Sequence, residues 1–253
     1  MLGDELDIPV AGRNLMLAVD LSGSMDQKDF ELGGRRVDRL TATKAVASDF
    51  IGRREGDRIG LILFGERAYL QAPLTFDRET VRSLLLESAI GLAGAEATAI
   101  GDAIGLGVKR LSAVPESNRV LVLLTDGVNN AGSVDPVRAA ELAAAAGLRI
   151  YTIGIGADRM TVRSLFGNRQ INPSRELDEA SLRAVAERTG GRYFRARDSA
   201  ELTQIYALLD DLEPVARDKQ LFRPRLPLYP WPLGAALALA ALLLAWPLLR
   251  RPR

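Results

Sequence analysis

From Arg13 to Ile155, short apolar runs rich in Val, Ile and Leu alternate with longer stretches whose apolar positions recur at helical spacing. That alternation is the pattern of a parallel sheet flanked by helices. The runs Asn14–Leu21, Arg58–Phe64, Arg119–Thr125 and Arg149–Ile155 read as strands. Each is nearly continuously apolar, as central strands covered on both faces are. Tyr69–Gln71 reads as a short extra strand at an edge. Helices are predicted at Arg39–Arg54, Arg78–Glu87, Ile100–Leu111 and Pro136–Ala146. The last has Asp135 as N-cap, proline at its first helical position and Gly147 behind it. Further on, Glu176–Thr189 contains a helix that Asp178 is placed to cap, Arg192–Phe194 is a short strand, and Ser199–Asp211 is a final helix. Glu201, near its start, has the sign that the helix dipole favours. The sequence thus predicts one doubly wound, mostly parallel α/β domain over residues 13–212, behind an N-terminal tail of residues 1–12.

The pattern changes at Glu213. Five prolines and several charges between Glu213 and Pro232 mark residues 213–229 as an extended, proline-rich connector. No charged residue occurs from Trp231 to Leu249. At a rise of about 1.5 Å per residue, a helix over 230–249 spans roughly the ~30 Å of a bilayer's hydrocarbon. Tyr229 and Trp231 at one end and Trp246 near the other resemble interfacial aromatic anchors, and residues 250–253 form a basic tail with Arg250, Arg251 and Arg253. A core helix of a soluble domain would carry a polar stripe, and this one carries none. A C-terminal transmembrane helix is therefore expected, and membrane lipid is its partner. The basic tail favours a cytoplasmic C-terminus, which would put the domain outside the cytoplasm, yet Met1–Val10 holds no apolar run to direct export. Either the domain stays inside on a tail anchor, or an upstream membrane segment is missing from this chain.

Composition narrows the chemistry. The 253 residues suffice for one large domain and an appendage. With 33 basic and 32 acidic residues the charge nearly cancels, so no basic field steers the chain onto nucleic acid, and nucleic acid is not an expected partner. The chain has no Cys, which excludes disulfides, thiol nucleophiles and thiolate metal sites. It has no His either, which excludes Ser-His-Asp and Cys-His hydrolysis, H-E-x-x-H metalloproteases and imidazole-bound zinc. Any metal here must be held by oxygen.

Oxygen donors gather at strand ends. The first strand runs into Asp20-Leu21-Ser22-Gly23-Ser24, one carboxylate and two hydroxyls in a tight loop at the carboxyl edge, where open α/β sheets bind ligands. Val120–Leu124 runs into Thr125-Asp126-Gly127, which brings a second carboxylate to the same edge. The loop before Ile100 offers the Thr98 hydroxyl. Such a set suits magnesium, a hard cation that takes carboxylate, hydroxyl and water oxygens in octahedral geometry; manganese or calcium can substitute. Few protein carboxylates leave a position open for a carboxylate from a partner's Asp or Glu. Ser and Asp at strand ends also cap helices and satisfy turn amides, which is the competing reading of each residue alone. Glu96 reads as a solvated loop charge, Asp102 as a helix-end residue, and Asn129 and Asn130 as turn residues.

The combination of D-x-S-x-S after the first strand, a threonine in a middle loop and T-D-G after a later strand resembles the metal-ion-dependent adhesion site (MIDAS) of von Willebrand factor A (VWA) domains. The resemblance implies a Rossmann-like VWA fold and a metal held by Asp20, Ser22, Ser24, Thr98 and Asp126, some directly and some through water. That family often has glycine before the threonine, whereas Ala97 stands here. Over nearly its whole length the chain also resembles the aerotolerance-operon (Bat-type) membrane proteins, through Asp57–Phe64, Tyr151–Gly156, Leu165–Asn172, Gly190–Asp198 and Tyr229–Leu233. This second resemblance implies a place in the bacterial inner membrane, in an envelope complex with related membrane VWA proteins and a MoxR-type AAA+ ATPase. The function expected is metal-dependent protein–protein interaction, not catalysis. Two alternatives stand beside it: a magnesium-dependent phosphotransferase with Asp20 as nucleophile, and a structural scaffold with an empty metal site. Against the first, Ser22 occupies the position where aspartyl-phosphate enzymes want a second carboxylate, and no G-x-x-x-x-G-K-[ST] motif is present.

Overall fold

The computed structural model describes residues 6–7, 12–114, 119–164, 167–213, 221–222 and six positions between 232 and 239. In chain order its strands are β1 (Leu6–Asp7), β2 (Asn14–Asp20), β3 (Phe30–Leu32), β4 (Arg35–Val37), β5 (Arg58–Phe64), β6 (Ala68–Thr75), β7 (Arg119–Thr125), β8 (Arg149–Ile155), β9 (Met160–Ser164), β10 (Gly167–Ile171), β11 (Tyr193–Ala196) and β12 (Leu221–Phe222). The helices are α1 (Arg39–Arg53), α2 (Arg78–Glu87), α3 (Ile100–Leu111), α4 (Pro136–Ala145), α5 (Glu179–Arg188) and α6 (Ser199–Leu212).

Residues Ala11–Arg217 form one compact unit. Its sheet has the order β11-β8-β7-β2-β5-β6. Every pair in it is parallel except β5 with β6. The central strands bury both faces because their side chains alternate between two cores. Leu15, Leu17 and Val19 of β2 join the layer that includes α1, α2 and α6, while Met16 and Ala18 join the one that includes α3, α4 and α5. Continuous apolar runs thus become strands with no wet side, as expected. The edge strand β6 is longer than Tyr69–Gln71 and carries Pro73, which an edge tolerates because one side needs no ladder partner. Helix α5 begins later than Glu176, since Asp178 caps it through the Ser181 amide at 3.0 Å.

Two hairpins were not foreseen. β3 with β4, and β9 with β10, are two-stranded antiparallel pairs apart from the main sheet. A third pair, β1 with β12, lies in a separate unit made of Met1–Val10 and Asp218–Arg253. The expected membrane span falls mostly outside the described residues; among those that are described, no helix is long and apolar enough to cross a membrane.

At the amino edge of the sheet, buried charge fastens the chain's entry to its exit. Asp57 accepts the Arg13 amide at 2.9 Å, and Arg54 donates to the Glu213 carbonyl at 3.2 Å. The Glu213 carboxylate accepts from the Tyr151 hydroxyl at 2.8 Å, bonds Arg149 and lies 3.7 Å from Arg13. Removing one member of such a set strands the others without partners. Glu213→Ala is expected to cost about 3 kcal/mol, a fall of roughly 6–12 °C in the melting temperature of a domain this size. A fall of only a degree or two in thermal unfolding would show that the exit is held by other contacts.

Candidate metal centre

The sheet reverses its winding at β2: α1 leads away on one face toward β5, while α3 brings the chain back on the other face into β7. The crevice at the carboxyl ends of β2 and β7 is the place where such sheets hold ligands. Asp20 ends β2 and Asp126 follows β7 directly, so parallel pairing of these neighbours sets the two carboxylates side by side.

Asp20 is fully buried. Its Oδ1 accepts the Ser22 amide at 2.8 Å and its Oδ2 accepts the Thr125 hydroxyl at 2.5 Å. Among the described residues it has no cationic partner. The hydroxyls of Ser22 and Ser24 lie 3.0 Å apart, and Ser24 donates to Asp126 Oδ1 at 2.5 Å. A continuous row of oxygen donors thus joins one carboxylate to the other. Thr98 completes the ring. A Cβ placed on Gly127 would stand 3.4 Å from Thr98 Oγ1 and 3.9 Å from Ser24 Oγ, which puts both hydroxyls around the same small space. All five expected residues converge.

The backbone around them is tightly specified. The Gly23 amide donates to the Ala95 carbonyl at 2.8 Å, holding the serine loop against the threonine loop. Alone among the six helices, α3 has no side-chain cap from its own N-cap residue, Ala99. Its Gly101 amide is met instead by Asn129 Oδ1 at 3.1 Å, and Asn130 Oδ1 accepts the Thr98 amide at 2.7 Å. Asp102 Oδ1 accepts the Ser133 and Val134 amides at 2.9 and 3.0 Å. Asn129, Asn130 and Asp102 therefore do more than finish a turn or a helix end: they lace the loop after Asp126 to the loop carrying Thr98. Glu96 remains an exposed loop residue whose amide donates to Glu66 Oε1 at 3.1 Å.

One member of the site was not singled out in the sequence. Arg39, at the first position of α1 and only 2% exposed, donates from Nη1 to Asp126 Oδ2 at 2.6 Å. Its other side grips Asp29, with Nε at 2.9 Å from Oδ1 and Nη2 at 2.5 Å from Oδ2. A cation at the positive end of a helix dipole is misplaced unless carboxylates hold it there, and that misplacement is the signal the sequence offered.

The donors fit a hard divalent cation. They are carboxylate and hydroxyl oxygens, with neither sulfur nor imidazole, and one of the carboxylates is buried without a counter-ion. Burial, together with the neighbouring negative charge of Asp126, pushes the Asp20 carboxyl up to about 7. Burial also raises Asp126, although Ser24 and Arg39 oppose the shift.

The model of the von Willebrand factor type A domain matches residues 14–208. An uncharacterised protein of Borreliella burgdorferi is 29% identical over 192 residues, 74% of this chain and 55% of that protein. The chain thus spans little more than half the length of that curated relative. Among solved structures, BatB from Bacteroides thetaiotaomicron is 25% identical with a TM-score of 0.64, over 79% of this chain and 98% of that one. An aerotolerance-related membrane protein from Bacteroides fragilis is 27% identical with a TM-score of 0.62, over 78% of this chain and 98% of that one. Proximal thread matrix protein 1 from the mussel byssus, solved with zinc in its MIDAS motif, shares the fold at 20% identity and a TM-score of 0.61, over 80% of this chain and 46% of that one.

The raised Asp20 carboxyl makes a signed prediction. Between about pH 4, where an unfolded Asp titrates, and about 7, the native state holds a proton that the unfolded chain has lost. Stability in chelator should therefore fall as pH rises through that window. Asp20→Asn, which imitates the protonated form, should flatten this part of the profile in urea unfolding. An unchanged slope in that variant would assign the dependence to other groups. Because a bound cation needs the carboxylate, magnesium affinity should rise over the same interval.

Proposed function

The chain belongs to the von Willebrand factor type A family, and from that premise we propose that it is a membrane-anchored recognition module. It holds one magnesium ion through Asp20, Ser22, Ser24, Thr98 and Asp126 and uses it to bind an acidic side chain of another protein. The observation that carries this reading is the fully buried Asp20, hydrogen-bonded at both oxygens but lacking any cationic partner among the described residues. A buried carboxylate of that kind is costly unless a cation joins it. Manganese and calcium are the alternative occupants.

Recognition suits the geometry better than catalysis. Both Asp20 oxygens are engaged and the side chain has no solvent access, so it is poorly placed to attack a phosphoryl group. Ser24 is exposed on the rim, where a partner's carboxylate could reach a cation without displacing the serine loop. The anchor rests on the charge-free stretch from Trp231 to Leu249 and on the likeness to membrane proteins of the aerotolerance group. That likeness also motivates the assignment to the bacterial inner membrane, with related membrane VWA proteins and a MoxR-type AAA+ ATPase as partners.

Magnesium at about 100 times its dissociation constant should stabilise the full chain by ~2.7 kcal/mol, or roughly 5–10 °C in melting temperature, and Asp20→Asn should abolish that response. No shift at any magnesium concentration would remove the metal from the proposal. Partners captured from native membranes should be released by chelator and missed by Asp20→Asn. Partners kept under both conditions would place the interface elsewhere on the domain or in the membrane.

A further inference from the structure

Arg39 and Asp29 form a buried ion pair directly behind the metal centre, and nothing in the cation-binding motif accounts for it. The side chains of Arg39, Asp29 and Asp126 are 2%, 0% and 0% exposed. The guanidinium bridges two carboxylates like a fork, Nη1 on Asp126 Oδ2 at 2.6 Å and Nε and Nη2 on Asp29 at 2.5–3.1 Å. Asp29 is fixed in turn, because its Oδ2 also accepts the Ala157 amide at 3.0 Å. Room for the guanidinium is kept by Gly156, where a Cβ would stand 2.8 Å from Arg39 Cζ. The arrangement is therefore built and braced from several elements.

Its consequence falls on Asp126. Oδ2 is taken by a fixed positive charge, and a second cation approaching that oxygen would be repelled. Oδ1, which Ser24 meets, is the carboxylate's one outlet toward the metal. Asp20 meets neutral donors only, the Ser22 amide on one oxygen and the Thr125 hydroxyl on the other, so the restriction falls on Asp126. While Arg39 holds Oδ2, Asp126 cannot clamp a cation with both oxygens. Magnesium and manganese accept six single-oxygen ligands, whereas calcium takes six to eight and commonly uses a two-oxygen carboxylate.

We propose that Arg39, braced by Asp29, is a specificity-determining residue that confines Asp126 to a single oxygen and thereby sets the site's preference for magnesium and manganese over calcium. The proposal rests on the metal-binding reading above. It makes Arg39 a positioning residue that acts on the cation only through Asp126. Ion-pair removal also leaves the net charge of the edge unchanged when both partners are neutralised, so a change in selectivity would reflect freed geometry and not a changed field.

The test measures magnesium, manganese and calcium affinities by calorimetry on the full chain and on the Arg39→Gln/Asp29→Asn double variant. The wild-type chain should bind magnesium and manganese more tightly than calcium, and the double variant should move the calcium-to-magnesium ratio toward calcium by at least about tenfold, the scale on which residues behind metal ligands act. A double variant that unfolds cooperatively, binds magnesium and keeps the wild-type ratio overturns the proposal. Should it fail to fold, Arg39→Lys carries the test. A single ammonium keeps the charge but cannot span both carboxylates, so the ratio should move the same way, and an unchanged ratio is again fatal. If the wild-type chain binds no divalent cation, the metal-binding reading itself falls, an outcome distinct from binding without a change in selectivity.

Discussion

Everything at the carboxyl edge of this sheet follows from setting two carboxylates on adjacent parallel strands inside the protein. Asp20 and Asp126 emerge side by side because β2 pairs with β7 in register, from Asn14 with Arg119 to Val19 with Leu124. Side by side and out of water they repel, and the fold answers each differently. Asp126 receives Arg39 and the Ser24 hydroxyl. Asp20 receives dipoles only, the Ser22 amide and the Thr125 hydroxyl. Dipoles orient a carboxylate without neutralising it, so the imbalance is concentrated at Asp20, facing the row of serine hydroxyls. The edge is consequently organised for a cation before any cation arrives.

The opposite edge uses buried charge in another way. Around Asp57 and Glu213 the carboxylates are met by Arg13, Arg54, Arg149 and Tyr151. Arg13 and Glu213 belong to the first and last segments of the compact unit, Arg54 and Asp57 to the turn between α1 and β5, and Arg149 and Tyr151 to β8, so the carboxylates find their partners within the domain. Charge of the same kind thus fastens the first and last segments of the compact unit at one edge and leaves Asp20 without a cationic partner among the described residues at the other. The strands between them, with Leu15, Leu17 and Val19 on one face and Met16 and Ala18 on the other, separate the two edges by their length.

What could be read from the sequence divides along physical lines. Strands β5, β7 and β8 fall residue for residue where their apolar runs lie, because a strand buried on both faces has no freedom to be polar. Asp20, Ser22, Ser24 and Asp126 could be placed at the carboxyl edge for a related reason, since they end or directly follow such runs, whereas Thr98 stands in the loop before α3. The hairpins were not legible. Phe30–Leu32 and Arg35–Val37 carry charges inward of their ends and bury only Phe30, too little to impose a pattern, and Met160–Ile171 shows no steady alternation in its sequence. Arg39 was missed because a helix-end arginine is ordinarily solvated; only tertiary placement of Asp29 and Asp126 turns it inward. Asn129 and Asn130 were legible as turn residues, but their targets, Gly101 and Thr98, lie across space and not along the chain.

The charge balance also bears on why such a site would remain open to a partner. Asp20, Asp126 and Asp29 contribute three negative charges and Arg39 returns one, so a single divalent cation brings the buried edge to neutrality. With neutrality reached inside the protein, no further protein carboxylate would be needed to hold a metal there, which leaves positions for water. A cation coordinated largely by hydroxyls and water keeps much of its Lewis acidity, so an incoming carboxylate that replaces water gains a short charge-assisted contact. The same carboxylate would gain little at a site crowded with protein anions. On the proposed reading, Arg39 would serve recognition without touching either the cation or the partner: by cancelling one buried charge, it would keep the demand for an additional acidic ligand on the outer face of the metal.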